Sequence, residues 1–164
     1  RSVILTDKAN FPTDKYILQG LISNVFTSHT LEVLDTDFSA NEQVAQALAK
    51  QDIALAVLSH VQYKSGFKYD MEGVTRVAKE TGTSLIWDVS HAVGAVELAF
   101  NRWGVEAAVG CTYKYLNGGP GAPAAPRAGS TRWQAFVRAP GAPRRRWEWA
   151  RPTRRFSEGR RRSS

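Results

Sequence analysis

The sequence predicts an α/β domain built on a mostly parallel sheet. Along residues 1–121, short apolar runs alternate with amphipathic helical stretches, the order that lays helices over a parallel sheet. One of those runs, "IALAVLSH" at 53–60, is apolar almost throughout, the pattern of a strand covered on both faces. No internal repeat interrupts the alternation.

The first strand is "SVILTD" at 2–7. A helix follows over 13–25, with Tyr16, Ile17, Gly20, Leu21 and Asn24 at helical spacing and Thr13 as its N-cap candidate. "LEVLD" at 31–35 reads as the second strand. The next helix, 39–50, turns Val44, Ala47 and Leu48 inward, and Ser39 with Glu42 fits a capping box. After the strand at 53–60 comes a helix over 70–82, opened by Asp70, apolar at Val74, Val77 and Ala78, and stopped by Gly82. "SLIWDVS" at 84–90 and "EAAVGC" at 106–111 are the last two strands.

At 164 residues the chain is long enough to bury a substantial core. Its single cysteine, Cys111, excludes an internal disulfide and points to a reducing compartment, which here means the cytoplasm. No apolar run approaches the roughly 18–20 residues that span a bilayer. The chain opens in mid-pattern at "RSVILTD", which reads as the cut end of a longer protein. The net charge of +7 is unevenly spread. Residues 1–121 hold ten Lys and Arg against thirteen Asp and Glu, whereas 122–164 hold twelve Arg, no Lys and two Glu. That second stretch has no Ile, no Leu and one Val, so it lacks the aliphatic surface to offset its ordering entropy. We therefore divide the chain into a domain at 1–124 and an Arg/Pro/Ala-rich, aberrant or disordered tail at 125–164. The tail has the composition of a GC-rich coding sequence read out of frame; a clean open frame on resequencing would end that idea.

Ligands of parallel α/β sheets bind beyond the carboxyl ends of the strands. Three such ends carry unusual polar groups: Ser59 and His60; Asp88, with His91 three residues on; and Thr112, Tyr113 and Lys114. Singly, each has an ordinary explanation: Asp88 as a cap, His91 as a surface histidine, Lys114 as a solvated lysine, Cys111 as a small buried apolar group. Together they make a set. A lysine amine attacks a carbonyl once its charge is suppressed by burial or a neighbouring cation. A carboxylate at a strand end keeps a heterocyclic nitrogen protonated, which an electron-sink ring requires. Hydroxyls hold a phosphate, and glycines after Lys114 let backbone pass close to another surface. Lysine, aspartate and hydroxyls in one crevice describe a pyridoxal-phosphate site, with no metal.

The words "NFPTDKYILQGL" (10–21), "LSHVQYKSG" (58–66), "WDVSHAVGAV" (87–96) and "AVGCTYKYLNGGPGAPA" (108–124) carry a resemblance. In their order and spacing the sequence resembles the kynureninase family of fold-type-I pyridoxal-phosphate enzymes, over about residues 1–124. The resemblance implies a partial three-layer large domain of the transferase-like kind. It implies that Lys114 condenses with the cofactor aldehyde and that Asp88 pairs with the pyridine nitrogen. Phe11 would stack on the ring, Pro12, Thr13 and Asp14 would complete that loop, Ser59 and His91 would contact the cofactor, and Tyr113 would bond its phosphate. The implied reaction is hydrolysis of L-kynurenine, or 3-hydroxykynurenine, to anthranilate, or 3-hydroxyanthranilate, and L-alanine. It belongs to tryptophan catabolism and NAD biosynthesis, and the implied enzyme is a homodimer.

Three expected family parts have no counterpart: an upstream phosphate loop, a downstream Trp and Asn, and a small domain whose arginine holds the substrate carboxylate. The isolated chain is accordingly expected to be inactive. Two other functions compete. A cysteine desulfurase or class V aminotransferase shares the lysine and aspartate, but desulfurases usually carry Gln where His91 stands, and Cys111 lies on a strand rather than a mobile loop. A polyanion-binding fragment would use the Arg-rich tail, with its interleaved Trp residues, on any phosphate backbone.

Overall fold

A computed structural model of the chain describes residues 1–36, 40–50 and 52–128, together with the backbone at 136–137 and 148–149. Its elements run β1 (Val3–Asp7), α1 (Pro12–Asn24), β2 (Thr30–Leu34), α2 (Ala40–Leu48), β3 (Ile53–Ser59), α3 (Met71–Thr81), β4 (Ser84–Asp88), β5 (Ala107–Cys111) and β6 (Ala124–Ala128). Six strands form one sheet in the order β2-β1-β3-β4-β5-β6. The first five are parallel and β6 is antiparallel to β5. This is the α/β, mostly parallel architecture that the alternating pattern predicts.

Successive side chains of a strand face opposite sides, and the core divides accordingly. Ile4 and Val57 pack with Leu18 of α1 on one face. Leu5 and Leu58 join Val44 and Leu48 of α2, Val74 and Ala78 of α3, and Trp87 on the other. The layers are therefore helix, sheet, helix. β1 leads outward to β2, and the chain then crosses back to β3 on the far side of β1. The topological switch point thus lies between β1 and β3, where open parallel sheets hold their ligands.

Local chemistry explains most element ends. Asp70 caps α3, its side chain accepting the Gly73 N–H at 3.0 Å. Gly82 closes the helix in the left-handed region at φ 68°. The indole N–H of the fully buried Trp87 donates to Thr75 Oγ1 at 3.0 Å, tying β4 to α3.

One expectation changes. Thr13 does not cap α1: Phe11 occupies the cap position without a side-chain bond, and Pro12 starts the helix, preset in φ and lacking an N–H to satisfy. On α1, Leu18 is buried, whereas Tyr16, Ile17 and Leu21 are exposed. Sheet pairing continues to Ala128, past the last family-like word. "AAPRA" has weak strand propensity, but pairing with β5 supplies the hydrogen bonds, and Pro126 is accommodated because β6 is an edge strand. Farther along, Phe136–Val137 (β7) pairs antiparallel with Glu148–Trp149 (β8). The Ser39 half of the capping box and the remainder of the Arg-rich tail lie outside the described residues.

Candidate active site

The β3–β4 register sets Ser59 directly beside Asp88, so both side chains leave the same face at the carboxyl edge. Both are buried. Asp88 Oδ1 accepts the Ser90 N–H at 2.8 Å, and Ser59 Oγ lies 3.3 Å from Asp88 Oδ2. Among the described residues no salt bridge neutralises Asp88. A buried carboxylate without a cation is costly, and that deficit suits a positively charged ligand atom.

His91, on the turn after β4, faces Lys114, on the loop after β5; Lys114 Nζ and His91 Nε2 are 2.9 Å apart. Burial and then the Lys114 charge hold the imidazole below its ordinary range, with Asp88 opposing them. The ammonium lies 5.7 Å from the Phe11 ring centroid and 5.8 Å from that of Tyr113. Phe11 meets the Tyr63 ring edge-on at 5.0 Å. Asp14, in the first turn of α1, is pushed up to about 6 by burial and by the Asp88 charge, against the pull of Lys114. Gly94 lets the lysine loop approach the His91 turn: a Cβ there would sit 2.7 Å from the Tyr115 carbonyl oxygen.

The structure therefore gathers Phe11, Asp14, Ser59, Asp88, His91 and Lys114 at the carboxyl edge. Pro12 sets the entry of α1, and Thr13 is exposed on that helix. Tyr113 is 53% exposed, its phenol raised first by Cys111 and lastly by Asp88. Two expected members stand apart. His60 alternates to the opposite face of β3, buried edge-on to Trp87 with ring centroids 6.0 Å apart. The Thr112 hydroxyl is committed to the Pro123 carbonyl at 2.6 Å, closing the glycine-rich loop. Sequence reading missed Asn10, fully buried between β1 and β3; its signal was its place at the head of "NFPTD". It also missed Asp7, buried at the end of β1 and bonded by the Tyr69 hydroxyl.

This donor set fits pyridoxal phosphate: an amine against an imidazole, an uncompensated buried carboxylate, and an aromatic ring beside them. No protein-family model matches the chain. Over 124 residues, 76% of this chain and 29% of each relative, it is 44% identical to a kynureninase of Pseudomonas fluorescens and 40% identical to one of Burkholderia mallei (strain SAVP1). The chain thus spans less than a third of the curated relatives it matches. Among solved structures, it resembles apo cysteine desulfurase from Thermococcus onnurineus NA1, with TM-score 0.65 and 20% identity, over 79% of this chain and 32% of that one. It likewise resembles alanine–glyoxylate aminotransferase from Nostoc sp., with TM-score 0.60 and 24% identity, over 79% and 34%. The chain has the architecture of the fold-type-I pyridoxal-phosphate enzymes over most of its length. Within it, the matched 124 residues are kynureninase-like.

Proposed function

We propose that the protein to which this chain contributes is a cytoplasmic kynureninase. It hydrolyses L-kynurenine or its 3-hydroxy form to the matching anthranilate and L-alanine. The observation that carries the reading is the 2.9 Å approach of Lys114 to His91 beside a buried Asp88 that has no ion pair among the described residues, in a chain 44% identical to a kynureninase over 124 residues.

Pyridoxal phosphate, when bound, supplies an aldehyde that captures amines and a ring that withdraws electrons. Lys114 would hold that aldehyde through its amine, and once free the same amine would carry the proton removed from the substrate α-carbon. The lowered His91 imidazole is uncharged at neutral pH and can accept a proton or hydrogen bond from Lys114 Nζ. Asp88 would hold the ring nitrogen protonated. Phe11 would lie against the ring, and Ser59, Asp14, Pro12 and Thr13 would shape the pocket wall. Tyr113, exposed at the rim, would hold the phosphate and is the candidate to polarise the substrate γ-carbonyl oxygen. A second subunit completes the site, and the exposed α1 face of Tyr16, Ile17 and Leu21 is the surface offered to it.

The test is a graft in which residues 1–124 replace the matched segment of the Pseudomonas fluorescens kynureninase. Expected is cofactor-dependent anthranilate fluorescence from L-kynurenine, lost in Lys114→Ala. Sulfur release from cysteine without kynurenine cleavage would instead assign the desulfurase chemistry.

A further inference from the structure

Asn10 is fully buried at the switch point, and every hydrogen-bonding site of its amide has a chemically fixed partner. Its Oδ1 accepts the Phe11 N–H at 2.7 Å. Its Nδ2 donates to the Val57 carbonyl at 3.2 Å and to Thr6 Oγ1 at 3.0 Å. Thr6 spends its own proton on Val57 O at 2.8 Å. A main-chain N–H only donates and a main-chain carbonyl only accepts, so the amide cannot be flipped. The Asn10 atom facing Ser59 is therefore an oxygen, and Ser59 Oγ lies 2.6 Å from it.

A serine hydroxyl has one proton. Two acceptors compete for that of Ser59: Asn10 Oδ1 at 2.6 Å and Asp88 Oδ2 at 3.3 Å. We propose that Asn10 is a positioning residue that claims the Ser59 proton and so keeps Asp88 Oδ2 free to accept from a cationic ring N–H. The Ser90 amide is then the hydrogen-bond donor on Asp88, through Oδ1. The Asn10 side-chain amide also fixes the Phe11 main chain by accepting its N–H, so one side chain sets both the ring-stacking residue and the carboxylate's vacant lone pairs. The second half of the proposal rests on the reading of Asp88 as partner to a pyridine nitrogen; the first half concerns this chain alone. Asp14, His91, Tyr113 and Lys114 are the other ionisable groups that interact with this centre.

The experiment uses the cofactor-free chain with 13C-labelled aspartate, Asp88 being assigned by Asp88→Asn. The quantity read is the shift of its carboxyl carbon between H2O and D2O, which reports exchangeable protons bonded to it. Ser59→Ala should leave that shift unchanged, because Ser59 donates elsewhere. Asn10→Ala should enlarge it, as the released hydroxyl turns to Asp88, and Asn10→Ala/Ser59→Ala should return it to the wild-type value. A shift that shrinks in Ser59→Ala overturns the proposal, and this comparison stands even where Asn10→Ala does not fold. Titration with pyridoxal phosphate supplies the second readout. Asn10→Ala should weaken binding about tenfold, about 1.4 kcal/mol. Adding Ser59→Ala should recover part of the loss, which mere damage to packing would not allow. The expected isotope pattern in a wild type that binds no pyridoxal phosphate would uphold the hold on Ser59 and overturn the cofactor reading.

Discussion

The charge of Lys114 acts on the imidazole of His91 across 2.9 Å. An ammonium beside an imidazole disfavours the imidazolium, which is one of the two causes holding His91 low. Lys114→Met removes that cation and leaves the opposing Asp88 carboxylate in place. The His91 imidazole should then titrate at a higher pH than in the wild type, read from its ring proton shifts. An unchanged titration would separate the two side chains in solution. The same variant should lose the visible absorbance that pyridoxal phosphate acquires on bonding to an amine of the wild-type chain.

The elements place the site through their ends, and two glycines show how differently an end can matter. Gly82 closes α3 at positive φ, with open room for a methyl group: the closest atom to an added Cβ is 3.5 Å away, on the flexible Arg1 side chain. Gly82→Ala should cost about 1 kcal/mol from left-handed backbone alone, and Asp70→Ala at the other end of α3 about 1 kcal/mol from the lost cap. Neither should alter cofactor binding. Gly94→Ala combines a positive φ of 85° with a contact of 2.7 Å to main-chain oxygen of Tyr115. Relief there requires the lysine loop to move, so Gly94→Ala should impair capture of pyridoxal phosphate by Lys114 far more than its denaturation midpoint suggests. Urea melts and aldehyde titrations on the three variants make the comparison.

At the scale of the molecule, two groups with opposite pH signs offset one another. Burial, with help from the Lys68 charge, lowers His60 to about 4 from an ordinary 6.5. The unfolded chain takes up that proton first on acidification, so His60 withdraws stability as pH falls from 6.5 to 4, by at most about 3 kcal/mol. Asp14, raised to about 6, is already protonated in the folded protein where the unfolded chain is still ionised, so it restores stability over pH 6 to 4. Asp7, also raised by burial, acts in the same direction as Asp14. His60→Gln should therefore grow more stable on acidification through this window, and Asp14→Asn should lose stability more steeply than the wild type. Identical slopes for all three proteins in urea titrations would contradict this. The exposed apolar face of α1 is a second property of the whole: Ile17→Lys should reduce self-association in sedimentation while leaving the fold's circular dichroism intact. The isolated chain should show no kynurenine turnover. Of the described arginine side chains, Arg1 bonds the Ile53 and Thr81 carbonyls, Arg102 pairs with Glu97 and Arg76 is exposed on α3; none is among the groups gathered with Lys114, and a substrate carboxylate would need such a group.

The sequence alone determined the alternation of strands and helices, both ends of α3, and the polar residues at strand ends. Each depends on neighbours within a few positions: apolar spacing, a capping aspartate, a glycine where φ turns positive. Phe11 was legible by resemblance, since a lone aromatic carries no local sign of what it faces. Tertiary structure decided the rest. The register of β3 against β4 brings Ser59 to Asp88 across 29 positions, and strand alternation sends His60 to the opposite face. The crossing of the chain past β1 sets Asn10 against β3 across 49 positions. Pairing along the edge of β5 made a strand of "AAPRA", and the absence of covering chain exposed the apolar stripe of α1 among the described residues. These outcomes depend on which surfaces meet after the chain has folded, and no local spacing of residue types encodes that meeting.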